Sequence, residues 1–247
     1  MINHFSVKLG SSVQSDEQKL TGYQIYACLL SMLKEETAEF LHENSRSPIS
    51  QNIVARSEKG EFLWEINVFD DTLADEIAGV LAGTKEFYAK KADIRLMIDS
   101  VQHTTVKNFA DIRSRGAAMA DRRNIKLDFQ TTTALKKSSE FLLFPDMELM
   151  LKNWWNSWNI IFPDTPFDDE DALNLLLRGV YITSYHLSSS VYRMKGNNIK
   201  GFFGSITIGN RLSEPMKELL NALLVLSEYS GTGVKTALGM GKTTISF

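Results

Sequence analysis

The sequence predicts an α+β protein in which one order of elements, β-α-β-β-α-β, occurs twice. Three observations carry this prediction. Strand-like and helix-like hydrophobic periods alternate in that order, and the same order returns with different residues after a polar connector. The length of 247 residues also suits two domains, since domains commonly contain about 100 to 150 residues. Two such units in tandem are two ferredoxin-like, or RRM-like, domains.

The first half of the chain contains the six elements of one unit. The letters EKG between its second and third strands mark a turn, and Gly83 stands where a helix commonly ends. The predicted elements are His4 to Gly10 (strand), Gly22 to Asn44 (helix), Ile49 to Arg56 and Glu61 to Phe69 (strands), Leu73 to Leu81 (helix), and an extended stretch from Phe87 to Val106 that contains a break.

The second half repeats the order after the polar connector Lys107 to Asn124. Ser213 and Pro215 occupy the cap and first-turn positions of its last helix. The predicted elements are Ile125 to Leu135 (strand), Asp146 to Ile161 (helix), Leu176 to Met194 and Ile199 to Ile208 (strands), Glu214 to Tyr229 (helix) and Val234 to Phe247 (strand). We therefore predict an N-terminal domain of residues 1–118 and a C-terminal domain of residues 119–247.

Composition indicates an ordinary globular protein. Apolar residues make up 43% and charged residues 23%, no apolar run approaches the ~18 residues of a membrane span, and the N-terminus lacks a signal-peptide pattern. We expect a cytoplasmic protein with no membrane partner.

The single cysteine, Cys28, excludes an intramolecular disulfide and a cysteine-built metal site. We expect it to lie on a helix and to be a small residue of the protein core. The acidic run 168–171 is typical of a solvated helix start, so we predict no metal and no cofactor.

The charge of the chain is unevenly distributed. A net charge of −3 and a pI near 5.9 argue mildly against nucleic-acid binding, because proteins that bind nucleic acids usually carry a basic surface. From Val191 to the end, however, there are seven basic and three acidic residues, a local balance of +4. The positive charge is therefore concentrated near the C-terminus.

The letters GMGKTT at residues 239–244 superficially match a nucleotide-binding P-loop. Thr236 stands where the first glycine of that motif belongs, and only five residues follow Lys242. Five residues cannot build the helix whose N-terminus binds the phosphates. The sequence therefore excludes this ATPase motif, and the four glycines of the longer segment 231–241, Gly231, Gly233, Gly239 and Gly241, need another purpose.

Four segments, in this order, carry a resemblance to a known family. They are AEFLHENSRSPIS, LDFQTTTALKKSSEFLLFPDMELMLKNWWNSWN, IKGFFGSITI and GTGVKTALGMG. Together they resemble the CRISPR-associated repeat-processing endoribonucleases of the RAMP superfamily, and the likeness covers nearly the whole chain. The resemblance implies metal-independent cleavage of the CRISPR repeat transcript into guide RNAs that end in a 2′,3′-cyclic phosphate.

The resemblance also implies an active site. His42 lies on the family's histidine motif and would be the catalytic acid or base, a role suited to a side chain that titrates near neutral pH. The family often has a tyrosine on the first helix, which points to Tyr26, although Tyr23 competes for this role. Arg46 is the basic residue nearest to the histidine and would stabilise the charged transition state. The other three histidines lie on strand-like segments, where a structural role is expected.

The predicted RNA contacts lie in the second half of the chain. Lys136 and Lys137 stand in a turn, and basic residues flank the hairpin turn at residues 196–198. The glycine-rich segment, residues 231–241, would lie against RNA phosphate. The full set is Lys136, Lys137, Arg193, Lys195, Lys200, Gly231, Gly233, Lys235, Thr236, Gly239 and Gly241.

Three partners follow from this interpretation: the CRISPR repeat RNA, a CRISPR effector complex and, if the protein is a homodimer rather than a monomer, a second copy. Two alternative functions stay open. The protein could be a noncatalytic RAMP subunit that binds guide RNA within an effector complex, or a ferredoxin-like protein that binds a small ligand and not RNA. The glycine-rich segment could also be a helix-to-strand turn with no ligand.

Overall fold

The structure, a computed structural model, describes residues 1–11, 20–43, 47–55, 60–119, 122, 124–194 and 196–246. The chain divides into two compact units. The first contains Met1–Val106 and Ala237–Gly239, and the second contains Lys107–Thr236 and Met240–Phe247. The domain boundary between residues 118 and 119 stays a prediction.

In its described residues, the first unit is a five-stranded antiparallel sheet with three helices. Its elements are β1 (Ile2–Ser11), α1 (Gly22–Met32), α2 (Glu35–Glu43), β2 (Ile49–Ala55), β3 (Glu61–Val68), α3 (Asp71–Gly83), β4 (Glu86–Ala89) and β5 (Ile94–Val106). The strand order is β2-β3-β1-β5-β4, and every neighbouring pair is antiparallel. Without the short edge strand β4, this is the ferredoxin-like arrangement.

The second unit repeats the arrangement. Its elements are α4 (Phe109–Gly116), β6 (Asn124–Thr133), β7 (Leu135–Lys137), β8 (Glu140–Leu142), α5 (Met147–Ile161), α6 (Glu170–Gly179), β9 (Val180–Met194), β10 (Asn197–Asn210), α7 (Glu214–Ser230) and β11 (Thr243–Ser246). The main sheet has the order β11-β6-β10-β9, and β7 pairs with β8 in a separate hairpin. The predicted fold class, two tandem ferredoxin-like domains, is confirmed.

Helix α1 packs its apolar side onto the first sheet. Ile25 and Leu29 are fully buried in the same core as Trp64, and each such side chain contributes roughly 1.5–3 kcal/mol. A capping box starts the helix: the Thr21 side chain accepts the Gln24 N–H, and the Gln24 side chain accepts the Thr21 N–H. Cap and core together fix α1 on the sheet.

Helix α5 supplies the aromatic core of the second unit. Trp154 and Trp158 are fully buried and Trp155 is nearly so, which confirms that the three tryptophans lie on one side of the helix. The indole N–H of Trp154 donates to Thr232 Oγ1 at 3.1 Å. The core of this unit is therefore tied directly to the glycine-rich segment.

The structure corrects four predicted boundaries. The helix predicted from Gly22 to Asn44 is two helices, because Leu33 is extended and the Lys34 N–H donates to Glu76 Oε1 on α3 at 2.7 Å. The connector Lys107 to Asn124 contains helix α4, capped by the Asn108 side chain.

The other two corrections lie in the second unit. The strand predicted from Leu176 begins only at Val180, since the preceding residues end helix α6, which Asp169 caps. The strand predicted from Val234 is the short β11, preceded by a 3-10 turn at Thr236–Leu238.

None of the described helices has the length and apolar character that a membrane crossing requires.

Candidate active site and RNA-binding surface

Helix α2 places His42 at its C-terminal end. The helix begins with Glu35 and Glu36, whose negative charges complement the helix dipole, and its last turn contains His42. Leu41 is buried and anchors this turn to the core, whereas His42 is exposed. The imidazole forms no hydrogen bond with the described residues. A side chain that can accept or donate a proton is thus presented to solvent from a fixed helix end.

Tyr26 lies on α1 beneath this helix end. Its side chain is 5% exposed, and its hydroxyl donates to the backbone oxygen of Leu41 at 3.4 Å. Burial raises the pKa of the phenol, and hydrogen bonding with the Ser47 side chain partly offsets that rise. The phenol is therefore a neutral donor near neutral pH. Tyr23, the competing tyrosine, is half-buried, with the Lys91 ammonium 5.0 Å from its ring centroid.

Two predicted site residues, Arg46 and Lys195, lie outside the described residues. The three other histidines lie on strands, as predicted. The ring of His4 is hydrogen-bonded to Asn67 at 2.7 Å, and the ring of His103 stacks on Phe5 with centroids 4.3 Å apart. His186 is exposed on β9.

The hairpin of β7 and β8 presents Lys136 and Lys137. Its turn consists of Ser138 and Ser139, both with positive φ, 48° and 72°. Both lysines are exposed. Lys137 Nζ lies 3.3 Å from Asp146 Oδ2, whereas Lys136 has no ion pair with the described residues. Lys136 is the more available of the two cations.

The hairpin of β9 and β10 presents Arg193 and Lys200. Arg193 pairs with Asn198 and Lys200 with Val191, and residues that pair across strands point to the same face. The two cations therefore share one face of the hairpin. Both are exposed, and neither forms an ion pair with the described residues.

One small apolar cluster joins these two hairpins to the glycine-rich segment. Ala134, Ile199 and Met240 are buried together, and four side chains pack against them: Phe141, Tyr192, Met194 and Val234. We call this set the apolar junction. It contains residues of β8, β9, β10 and the glycine-rich segment. Three stretches that are far apart in the sequence, each with predicted RNA contacts, therefore meet in the second unit.

The glycines of the C-terminal segment meet a steric requirement of the fold. All four have positive φ: Gly231 74°, Gly233 88°, Gly239 92° and Gly241 72°. A Cβ would lie 2.2 Å from a backbone oxygen at Gly233 and at Gly241, 2.8 Å from Thr236 Cγ2 at Gly231, and 2.6 Å from Gly22 Cα at Gly239. No other residue type fits without displacement of the neighbouring atoms.

The amide groups of this segment are largely used inside the protein. The N–H of Gly231 donates to Ser227 O, that of Gly233 to Asn153 Oδ1 and that of Gly241 to Thr132 O. By contrast Lys235, at a positive φ of 59°, is exposed, and Thr236 is half-buried. The side chain of Lys235 is therefore the part of the segment best placed to meet a ligand.

The exclusion of a P-loop is confirmed. Strand β11 begins at Thr243, directly after Lys242, so no helix follows the lysine. Lys242 is itself only 9% exposed. Among the described residues, moreover, no group of three or more His, Cys, Asp or Glu side chains could hold a metal ion.

Sequence reasoning missed Asn153, although its side chain holds the Gly233 N–H at 2.8 Å. It also missed the apolar junction. No pattern in the letters KNWW distinguishes an asparagine that faces a distant loop from one in solvent. Phe141 and Tyr192 likewise have no signal beyond the ordinary alternation of strands.

Comparison with known proteins shows similarity to one family. The sequence model described as "CRISPR-associated endoribonuclease Cas6" matches residues 127–243. A protein of that name from Streptococcus thermophilus is 24% identical over 220 residues, which cover 88% of each chain. One from Mycobacterium tuberculosis is 25% identical over 224 residues, covering 89% of this chain and 70% of that protein.

Solved structures show the same fold. A structure described as a Cas6 product complex superposes with a TM-score of 0.81 at 17% identity, over the whole of both chains. The two ferredoxin-like units, the sequence model and the similar proteins all agree. The chain is therefore similar in sequence and in fold to the Cas6 family of CRISPR-associated endoribonucleases.

Proposed function

We propose that this protein is a metal-independent endoribonuclease that cuts CRISPR repeat transcripts into guide RNAs. The observation that carries the proposal is the exposed His42 at the end of α2, in a chain that is similar to the Cas6 family. Relatives named as endoribonucleases support the reaction class, and a neighbour described as a product complex supports binding of cleaved substrate in this fold.

The reaction uses the RNA's own nucleophile. The 2′-oxygen attacks the adjacent phosphorus, the bond to the 5′-oxygen of the next nucleotide breaks, and a 2′,3′-cyclic phosphate and a 5′-hydroxyl are formed. The proton of the 2′-hydroxyl must be removed, and the leaving oxygen must be protonated. The imidazole of His42 carries out one of these transfers, which contributes roughly 10² to 10⁴ in rate.

RNA binding is assigned to the basic groups around the apolar junction. Lys136, Arg193, Lys200 and Lys235 are exposed on the three stretches that meet at the apolar junction, with Arg193 and Lys200 on the hairpin face opposite to Tyr192 and Ile199. Each would neutralise a phosphate of the repeat. Such contacts make binding fall steeply with salt. The glycines hold the segment in shape rather than donating their N–H groups, because those of Gly231, Gly233 and Gly241 already have acceptors. Repeat processing of this kind takes place in the cytoplasm and can deliver the guide to an effector complex.

The test uses the cognate repeat RNA in excess EDTA. We expect cleavage without added metal and a 5′ fragment whose 3′ end carries the cyclic phosphate, identified by its mass. A substrate with deoxyribose at the cut site should bind equally well and stay intact, because the attacking 2′-hydroxyl is gone. Cleavage that requires Mg²⁺, or that proceeds on the deoxyribose substrate, would contradict the mechanism. Binding of the all-ribose repeat without cleavage would favour a noncatalytic RAMP subunit.

A further inference from the structure

The last turn of α2 carries backbone oxygens without partners in the helix. Helix α2 has nine residues, Glu35–Glu43, and the final four backbone oxygens of any α-helix lack an intrahelical donor. Leu41 is among these residues and immediately precedes His42. Its oxygen accepts the Tyr26 hydroxyl at 3.4 Å. A side chain on α1 therefore caps the end of the helix that presents the histidine.

The capping side chain is itself held rigidly. Tyr26 is 5% exposed and lies in the same apolar core as Leu29, Leu41 and Ile49. The ring cannot turn outwards without opening this core. Burial raises the pKa of the phenol, so the hydroxyl keeps its proton and stays a donor throughout the neutral range. Both facts suit a structural donor and disfavour a group that reacts with bound RNA.

A second hydroxyl lies beside the phenol. Ser47, just before β2, favours the charged form of Tyr26 by hydrogen bonding, an effect smaller than that of burial. Its Oγ is buried. The hydrogen of the phenol is donated to the Leu41 oxygen at 3.4 Å.

From this geometry we infer that Tyr26 is a positioning residue, which caps the last turn of α2 through the Leu41 oxygen and so fixes the place from which His42 presents its imidazole. The inference rests on the proposed function only in the consequence for cleavage. It replaces direct contact of Tyr26 with RNA, the role expected from the family resemblance, by an action through the helix backbone.

The test is the Tyr26→Phe variant, which keeps the ring and removes the hydroxyl. In the free protein, amide hydrogen exchange at residues 41–43 should become about 5-fold faster, the ratio expected for the loss of one hydrogen bond. Exchange in α5 should be unchanged, which shows that the fold is intact. Tyr88→Phe is the matched control, because that exposed hydroxyl bonds to the Asp93 side chain and not to a helix end.

Cleavage supplies a second readout. In Tyr26→Phe we expect a lower kcat, an unchanged KM and an unchanged shape of the pH-rate profile, because the phenol does not titrate in the reaction. Unchanged exchange at residues 41–43 overturns the inference, and so does the loss of one limb of the pH profile. If the native protein cleaves no repeat RNA, the proposed function fails while the exchange measurement still decides the role of Tyr26.

Discussion

The end of α2 and the glycine-rich segment were both predicted to act on RNA, yet they are built in opposite ways. At the end of α2 the proposed chemistry belongs to one exposed side chain, His42, and the buried Tyr26 donates a hydrogen bond to the backbone beside it. In the glycine-rich segment the backbone itself is constrained at four positive-φ positions. The comparison teaches that the histidine is free to serve a reaction, whereas most of the glycines are required by the fold.

This contrast predicts that substitution of His42 has the largest effect on the cleavage rate. The His42→Ala variant should lose about 10² to 10⁴ in cleavage rate with a change of less than about 0.5 kcal/mol in the free energy of unfolding, since the side chain is exposed. RNA binding should persist. His186→Ala, which removes another exposed histidine, is the control and should cleave normally. A His42→Ala protein that cleaves at the native rate would refute the assignment.

At Gly241, by contrast, we expect the large effect to be on the free energy of unfolding. Gly241→Ala forces a Cβ to within 2.2 Å of Thr232 O at a φ of 72°, which should lower the free energy of unfolding by roughly 3 kcal/mol or more. Gly196→Ala is the matched control, because its φ is 81° but nothing lies within 4 Å of the added Cβ. It should cost only about 1 kcal/mol. Urea denaturation measures both, and equal losses would show that contact with Thr232 is unimportant.

A smaller effect is expected at the basic face of the β9–β10 hairpin. The double variant Arg193→Ala/Lys200→Ala should weaken RNA binding and reduce the slope of log K against log salt concentration by about 1.4 to 1.8, which corresponds to two phosphate contacts. Lys152→Ala is the control, because this lysine is paired with Glu148 on α5 at 2.6 Å. An unchanged salt slope in the double variant would remove this hairpin from the RNA-binding surface.

The smallest effect concerns Cys28, which is buried on α1 as predicted. Burial raises the pKa of its thiol, so the folded protein keeps the proton at a pH where the unfolded chain releases it. Stability is therefore fully retained below the ordinary thiol pKa, about 8.5, and falls as the pH rises further. Urea unfolding at pH 8 and pH 10 should show a decrease that is smaller in Cys28→Ala. An identical decrease in the variant would assign it to other groups, such as Tyr26.

The sequence correctly predicted those features of the fold that depend on residues close together in the chain. Alternating and helical hydrophobic periods located all six elements of the ferredoxin-like order in each half, and glycines marked the tight backbone at residues 231–241. The prediction from sequence failed where a contact with a residue distant in the chain determines the local structure. The break between α1 and α2 depends on Glu76, which accepts the Lys34 N–H across 42 positions of sequence. Periodicity carries no record of such a contact.

The sequence by itself determined the repeated order of elements and the exclusion of a P-loop, because these depend on spacing and residue type. Its resemblance to a known family singled out His42, whose catalytic role stays a prediction. Only the tertiary structure decided that Tyr26 is buried beneath the histidine-bearing turn and that two basic hairpins meet the glycine-rich segment at the apolar junction. Both depend on which distant side chains share a core. Burial of apolar surface is non-directional, so sequence order alone cannot specify those partners.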